Sequence, residues 1–191
     1  QVDVDYWSPT KNPKPRELLG DLDDESKMLV ITVGSDEPRK RLHFAREVLG
    51  ELPDEVSSDV NVLHIGSEVK VTDDQLVAAF QHAEVLLFPS ACEGFGYPPA
   101  EAMAAGCPVM ASDLTAHNEI IPDRCLLDPM SIADWVDELV RIHSEWRKSG
   151  GVPRHPDEEL INHVKSLLSP DSHGKSLADA YDLAVRPNQN V

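Results

Sequence analysis

Two carboxylates bracket a glycine loop in the stretch Glu93-Gly-Phe-Gly-Tyr-Pro-Pro-Ala-Glu101. The apolar run Val85-Leu-Leu-Phe-Pro89 leads into it, and an Ala-rich segment follows. This order predicts strand, loop and helix, with Glu93 in the loop and Glu101 in the first helical turn. Backbone N–H groups in such a loop, together with the positive end of the helix, suit phosphate. Gly94 and Gly96 allow close backbone approach and positive φ, and Phe95 between them is expected to pack under the loop. Carboxylates repel phosphate, so the two acids need other partners, and sugar hydroxyls are natural donors to them. A ligand carrying both a diphosphate and sugar rings is a nucleotide sugar.

The surrounding elements place the loop at a binding edge. Strands are expected at 28–33, 60–65, 85–89, 109–112 and, briefly, 125–127. Helices are expected at 41–49, from the N-cap Thr72 to about Ala83, from Pro98 or Pro99 to Gly106, at 132–148 behind the cap Ser131, and at about 156–168 and 172–185. Short apolar runs alternating with amphipathic helices make this an α/β chain: a Rossmann-like parallel sheet with helices on both faces. Residues 1–27 read as an irregular lead-in with one short helix near Arg16 to Leu19. Residues 28–150 form the ligand-binding domain, and residues 151–191 add helices to it. Parallel sheets bind ligands at the carboxyl ends of their strands, where the loop at 90–97 and the loop after Val33 both fall.

The stretch E-G-F-G-Y-P-P-A-E-A-M-A-A-G-C-P-V-M-A-S-D at 93–113, with Asn118-Glu119 beyond it and Val33-Gly-Ser-Asp-Glu-Pro-Arg-Lys40 upstream, resembles the C-terminal, donor-binding half of family 4 glycosyltransferases of the GT-B fold. The similarity covers about residues 28–130 in order. It implies a retaining transfer of a sugar from a nucleoside diphosphate donor to a carbohydrate or lipid-linked acceptor. Glu101 would accept hydrogen bonds from the ribose, and Glu93 would contact the donor sugar near the transferred carbon. Gly94, Phe95 and Gly96 would line the donor. Lys40 would sit on the diphosphate and neutralise charge on the leaving group, and Glu119 would lie near the phosphate and sugar. The family often has Arg where this chain has Ser35, so either Ser35 or Arg39 is expected to supply the second phosphate contact. No metal is expected, because no D-x-D triplet stands in the motif region and Lys40 with the helix dipole would replace Mg²⁺. A non-catalytic nucleotide-sugar-binding or scaffold module of the same fold is the alternative. A dinucleotide-dependent dehydrogenase is disfavoured, since no G-x-G-x-x-G follows the first strand.

With 191 residues and 41% apolar content, the chain can bury a full core. Acidic residues outnumber basic ones 34 to 17, for a net charge of −17. Nucleic acid is therefore a poor partner. So acidic a surface reads either as a salt-loving protein or as an ordinary soluble one. Cys92, Cys107 and Cys125 have no metal-ligand spacing and are expected to be free and buried, which favours the cytoplasm, including the inner face of a membrane. The chain opens at Gln1 without Met and reads as part of a longer polypeptide whose acceptor domain lies upstream. Taken alone, it would turn over little.

Overall fold

A computed structural model describes residues 2–168 and, beyond them, Gly174 and Ala178, both helical; the rest of the helix expected at 172–185 lies outside the described residues. Five strands, β1 (Met28–Val33), β2 (Val60–Ile65), β3 (Val85–Phe88), β4 (Val109–Ser112) and β5 (Leu126–Leu127), form one sheet in the order β2-β1-β3-β4-β5. Every pairing is parallel, with Val30 opposite Val62 and Val85, and Leu87 opposite Met110. A parallel sheet is covered on both faces, so its strands are apolar throughout rather than alternating. β3 and β4 are buried from end to end.

Successive side chains of β1 feed two separate core layers, as the twofold strand period requires. Leu29 and Ile31 join one face with Val77, Phe80 and Met103, while Met28 and Val30 join the other with Phe44, Val48, Trp135 and Leu139. The first face is covered by α4 (Asp73–His82), α5 (Tyr97–Ala104) and α8 (Glu158–Leu168), and the second by α2 (Leu42–Gly50) and α7 (Ile132–Lys148). Local signals set the helix starts. Thr72 and Gln75 form a reciprocal capping box, and Ser131 Oγ accepts from the N–H of Asp134. Two one-turn helices, α3 (Asp54–Ser57) and α6 (Thr115–Asn118), complete the connections.

The lead-in is more ordered than expected. It holds a helical turn, α1 (Val4–Trp7), and a 3₁₀ segment at Arg16–Leu22 broken at Gly20. Val2, Trp7 and Leu19 are buried, and Trp7 meets Phe80 edge-on at 5.4 Å. Three anchors so widely spaced leave no periodic signal to read. Cys92 also departs from expectation: it is exposed on the loop, whereas Cys107 and Cys125 are free and buried. No helix among the described residues is long and apolar enough to cross a membrane.

The strand order reverses between β1 and β3. β2 lies on one side of β1, and the chain then crosses back so that β3 lies on the other. The crevice outside the carboxyl ends of two strands at such a switch point is where open α/β sheets bind ligands. The loops that leave β1 and β3 there carry Ser35 to Lys40 and Ser90 to Gly96.

Candidate functional site

Lys40 is presented by an unusual turn. A 3₁₀ segment, Pro38–Lys40, ends at Arg41, a non-glycine residue in the left-handed region (φ 50) that also precedes the first residue of α2. Two contacts hold Arg41 there: its guanidinium lies 4.3 Å from the Phe44 ring centroid, and its Nη1 donates to Pro129 O at 2.8 Å. Gly34, at the end of β1, is backed by the Lys40 stem, which a Cβ there would touch at 3.4 Å. The Lys40 ammonium stands 5.2 Å from the ring centroid of Phe88, the last residue of β3. The first loop is thereby pinned across the switch point, and the N–H of Ala91 donates to Arg39 O at 2.7 Å to tie it to the second.

The two loops share one electrostatic knot. Lys40 Nζ donates to Glu93 Oε1 at 2.6 Å, and Arg39 Nη1 donates to Glu93 Oε2 at 3.2 Å. Ser90 Oγ donates to Glu93 Oε1 at 2.6 Å. Glu37 braces Arg39 from the other side, accepting from its Nε at 2.8 Å and from Ser35 Oγ at 2.6 Å. Burial alone would push the Glu93 carboxyl up. Hydrogen bonds from Lys40 and Ser90, and the charges of Lys40 and Arg39, outweigh it and hold the group below its ordinary range. Glu93 is therefore ionised at neutral pH.

Arg39, Lys40, Glu93, Gly94, Phe95, Gly96, Tyr97 and Pro98 line an open concavity of about 570 Å³. Six of the nine residues singled out in the sequence thus meet in one place. Gly96 needs its freedom, with φ of 83 immediately before α5. Gly94 does not, for its φ is unremarkable and a Cβ there would meet nothing within 4 Å. Its missing side chain leaves the concavity open to close approach. Phe95 packs against the core and meets Tyr97 at 4.8 Å between ring centroids, as its expected place under the loop requires. No described residue accepts a hydrogen bond from the N–H of Gly94, Phe95 or Gly96. The helix end is a poorer anion cradle than its position suggests. Pro98 and Pro99 occupy its first turn and carry no N–H, so the positive charge at the concavity comes from the side chains of Lys40 and Arg39.

Three expected residues stand outside that lining. Ser35 faces a small cleft beside Lys40 and is turned to Glu37. Glu119 is an exposed residue at the end of α6. Glu101 is half-buried on α5, not in its first turn as expected but four positions after Tyr97 and three after Pro98, because the helix starts at Tyr97, and hence on the helix face that carries both. No described residue hydrogen-bonds its carboxylate, and burial pushes it above the ordinary range. His64 and His117 are buried and structural: His64 Nδ1 pairs with Thr32 Oγ1 at 2.8 Å, and His117 Nδ1 donates to Ser112 O at 2.7 Å. Sequence reasoning missed Ser90, Glu37 and Phe88. Ser90, three residues before Glu93 at the strand exit, carried the only local hint. Among the described residues, no group of three or more His, Cys, Asp and Glu could hold a metal ion.

A second cavity, of about 550 Å³, opens at the amino ends of β3 and β4. Its cations are already matched. Arg141 pairs with Glu138 and Glu145, Arg124 pairs with Asp157, and Arg154 donates to the carbonyls of Phe80, Ala83 and Gly106.

Comparison with known proteins identifies the family and the fold. Residues 25–145 match the family model described as "Glycosyl transferases group 1". The O-antigen chain mannosyltransferase RfbU of Salmonella typhimurium is 33% identical over 89 residues, 46% of this chain and 24% of RfbU. Among solved structures, WaaG, a glycosyltransferase involved in lipopolysaccharide biosynthesis, superposes with a TM-score of 0.65 at 19% identity, over 92% of this chain and 53% of that one. Anabaena HepE, solved with UDP-glucose, gives 0.64 at 16% identity over 95% and 56%. The chain spans a quarter or less of the length of such curated mannosyltransferases and about half of those solved chains.

Proposed function

This chain belongs to the group 1 glycosyl transferases, and from that premise we propose that it is the donor-binding domain of an enzyme that moves a sugar from a nucleoside diphosphate to an acceptor with retention of configuration. The observation that carries this reading is the knot at the switch point: two cations of a strongly acidic protein converge on one open concavity beside unpartnered loop amides. Lys40 and Arg39 take the diphosphate. Arg39 supplies the second cation in place of Ser35, whose hydroxyl is committed to Glu37. Glu101, a carboxylate without a hydrogen-bond donor among the described residues, accepts from the ribose hydroxyls. Glu93 and the amides of Gly94 to Gly96 meet the donor sugar, and Glu119 is the further acid assigned to the sugar and phosphate. A group leaving as a diphosphate gathers negative charge, and cations already fixed in position stabilise it without reorganisation.

Acceptor binding requires a second domain, and the name of RfbU makes a mannosyl donor the first to try. Calorimetric titration of the chain and of Lys40→Ala with GDP- and UDP-sugars tests the assignment. Binding that weakens at least tenfold in Lys40→Ala, with the fold intact by circular dichroism, is expected; equal affinity in both proteins removes it.

A further inference from the structure

In the structure the two cations suited to a diphosphate hold a carboxylate. Glu93 accepts from Lys40, Arg39 and Ser90 at 2.6, 3.2 and 2.6 Å, and the Lys40 and Glu93 side chains are only 14% and 8% exposed. A diphosphate oxygen and Glu93 therefore compete for the same N–H donors. We propose that Glu93 is an exchangeable counter-ion that discriminates against the nucleoside diphosphate product and speeds its release. The proposal rests on reading the concavity as the donor site.

Three states differ in how Glu93 is satisfied. In the free protein it is paired with Lys40 and Arg39. With a nucleotide sugar bound, the diphosphate takes those cations, and the sugar hydroxyls offer Glu93 new donors. With the sugar gone and the diphosphate still in place, Glu93 has lost both sets. It is then a poorly solvated carboxylate beside a diphosphate that has kept the electron pair of the broken sugar–oxygen bond and so carries more negative charge than in the donor, with only Ser90 to donate to it. Removing one partner of a buried ion pair is costly because the other charge is left uncompensated. That penalty falls on the product complex alone, and it is relieved when Glu93 recaptures Lys40 and the diphosphate departs. Arg39 gives up its contact to Glu93 but keeps its brace to Glu37, whereas Lys40 exchanges its one carboxylate partner outright. The same carboxylate thus assists the loaded donor and evicts the spent one.

Glu93→Gln keeps the shape and the Ser90 hydrogen bond but removes the charge. Titrations of the wild-type chain, Glu93→Gln and Lys40→Ala with UDP, GDP and inorganic pyrophosphate decide the matter. The expected result is that Glu93→Gln binds the preferred nucleoside diphosphate roughly tenfold tighter than wild type, since relief of about 1.4 kcal/mol is tenfold in affinity. Pyrophosphate should tighten in the same sense. Equal or weaker binding by Glu93→Gln, while Lys40→Ala still loses affinity, overturns the counter-ion role and leaves the donor-site reading standing. Absence of binding of any of the three probes, and of nucleotide sugars, to wild type removes the donor-site reading itself. A measurement on the unaltered chain guards against a variant that fails to fold: the ¹³C carboxyl resonance of Glu93 should move when the diphosphate saturates the protein. A resonance that stays in place on saturation overturns the proposal.

Discussion

Replacing Glu101 with Gln should separate stability from binding. The Glu101 carboxylate is half-buried with no hydrogen-bond donor among the described residues, and burial alone raises its pKa. A carboxyl whose folded-state pKa lies above its unfolded value binds its proton more tightly when folded. Its contribution is therefore most favourable below the unfolded pKa, and stability declines as pH rises through the window up to the folded pKa. At neutral pH Glu101 is thus a liability, and Gln, carrying no charge, should leave the free domain as stable as wild type or slightly more so. Donor binding should move the other way. Two ribose hydroxyls donating to a carboxylate make two charge-assisted bonds; an amide keeps one acceptor and offers a donor at the other position. The loss is about one hydrogen bond to a charged group, roughly 1.5–3 kcal/mol, or about 10- to 150-fold in dissociation constant. Urea denaturation and calorimetry on the same preparations give both numbers. The wild-type affinity should also fall as pH is lowered into the raised range of Glu101, while Glu101→Gln stays flat there. Unchanged donor affinity in the variant refutes the ribose role, and a large loss of stability refutes the claim that the carboxylate is unpartnered.

Three further perturbations test the frame around the site. Arg154 donates to the carbonyls that close α4 and α5 and lies against Glu84, whose carboxyl burial pushes up while the charge of Arg154 restrains it; Arg154→Met should lower stability by about 3 kcal/mol or more in urea, because it strands a buried acid and frees several carbonyls. Gly106 has φ of 71, and a Cβ there would come within 2.8 Å of Pro156 Cβ; Gly106→Ala should cost about 1–3 kcal/mol by denaturation, leaving donor affinity unaltered in the folded protein. With 34 acidic and 17 basic residues, the chain should gain about 1 kcal/mol, a few degrees in thermal midpoint, between roughly 0.1 and 1 M KCl as self-repulsion is screened; a flat salt profile would leave the acidic surface an ordinary solubility device.

Sequence alone carries the strands, the helix starts and the edge on which the site stands, because each of these is local. Val85 to Phe88 is an unbroken apolar run, Thr72 and Gln75 stand three positions apart, and Gly106-Cys-Pro108 stops a helix within its own few residues. The pairing of Lys40 with Glu93 is not local. It spans 53 positions and exists because β3 returns to the side of β1 away from β2. Strand order depends on how whole helices pack, which a single sequence does not display. The lead-in is hard to read for a related reason: Val2, Trp7 and Leu19 enter the core singly.

Ser35 shows why position and chemistry must be separated at this edge. On the proposed donor-site reading, a cation immediately after β1 would serve the diphosphate, and a hydroxyl there cannot neutralise it. The structure keeps a second cation four residues later, on Arg39, and Glu37 sits between the two, bonded to both Ser35 and Arg39. The guanidinium is thereby held over the neighbouring loop, where it touches Glu93. With Pro98 and Pro99 stripping donors from the start of α5, the site cannot lean on the helix end for charge. If a diphosphate binds there as proposed, so acidic a chain needs Arg39 more, not less, because the background charge repels an anionic ligand. Bracing Arg39 with Glu37 weakens its field but fixes its direction, and a fixed cation is the kind that stabilises a departing diphosphate without first having to move.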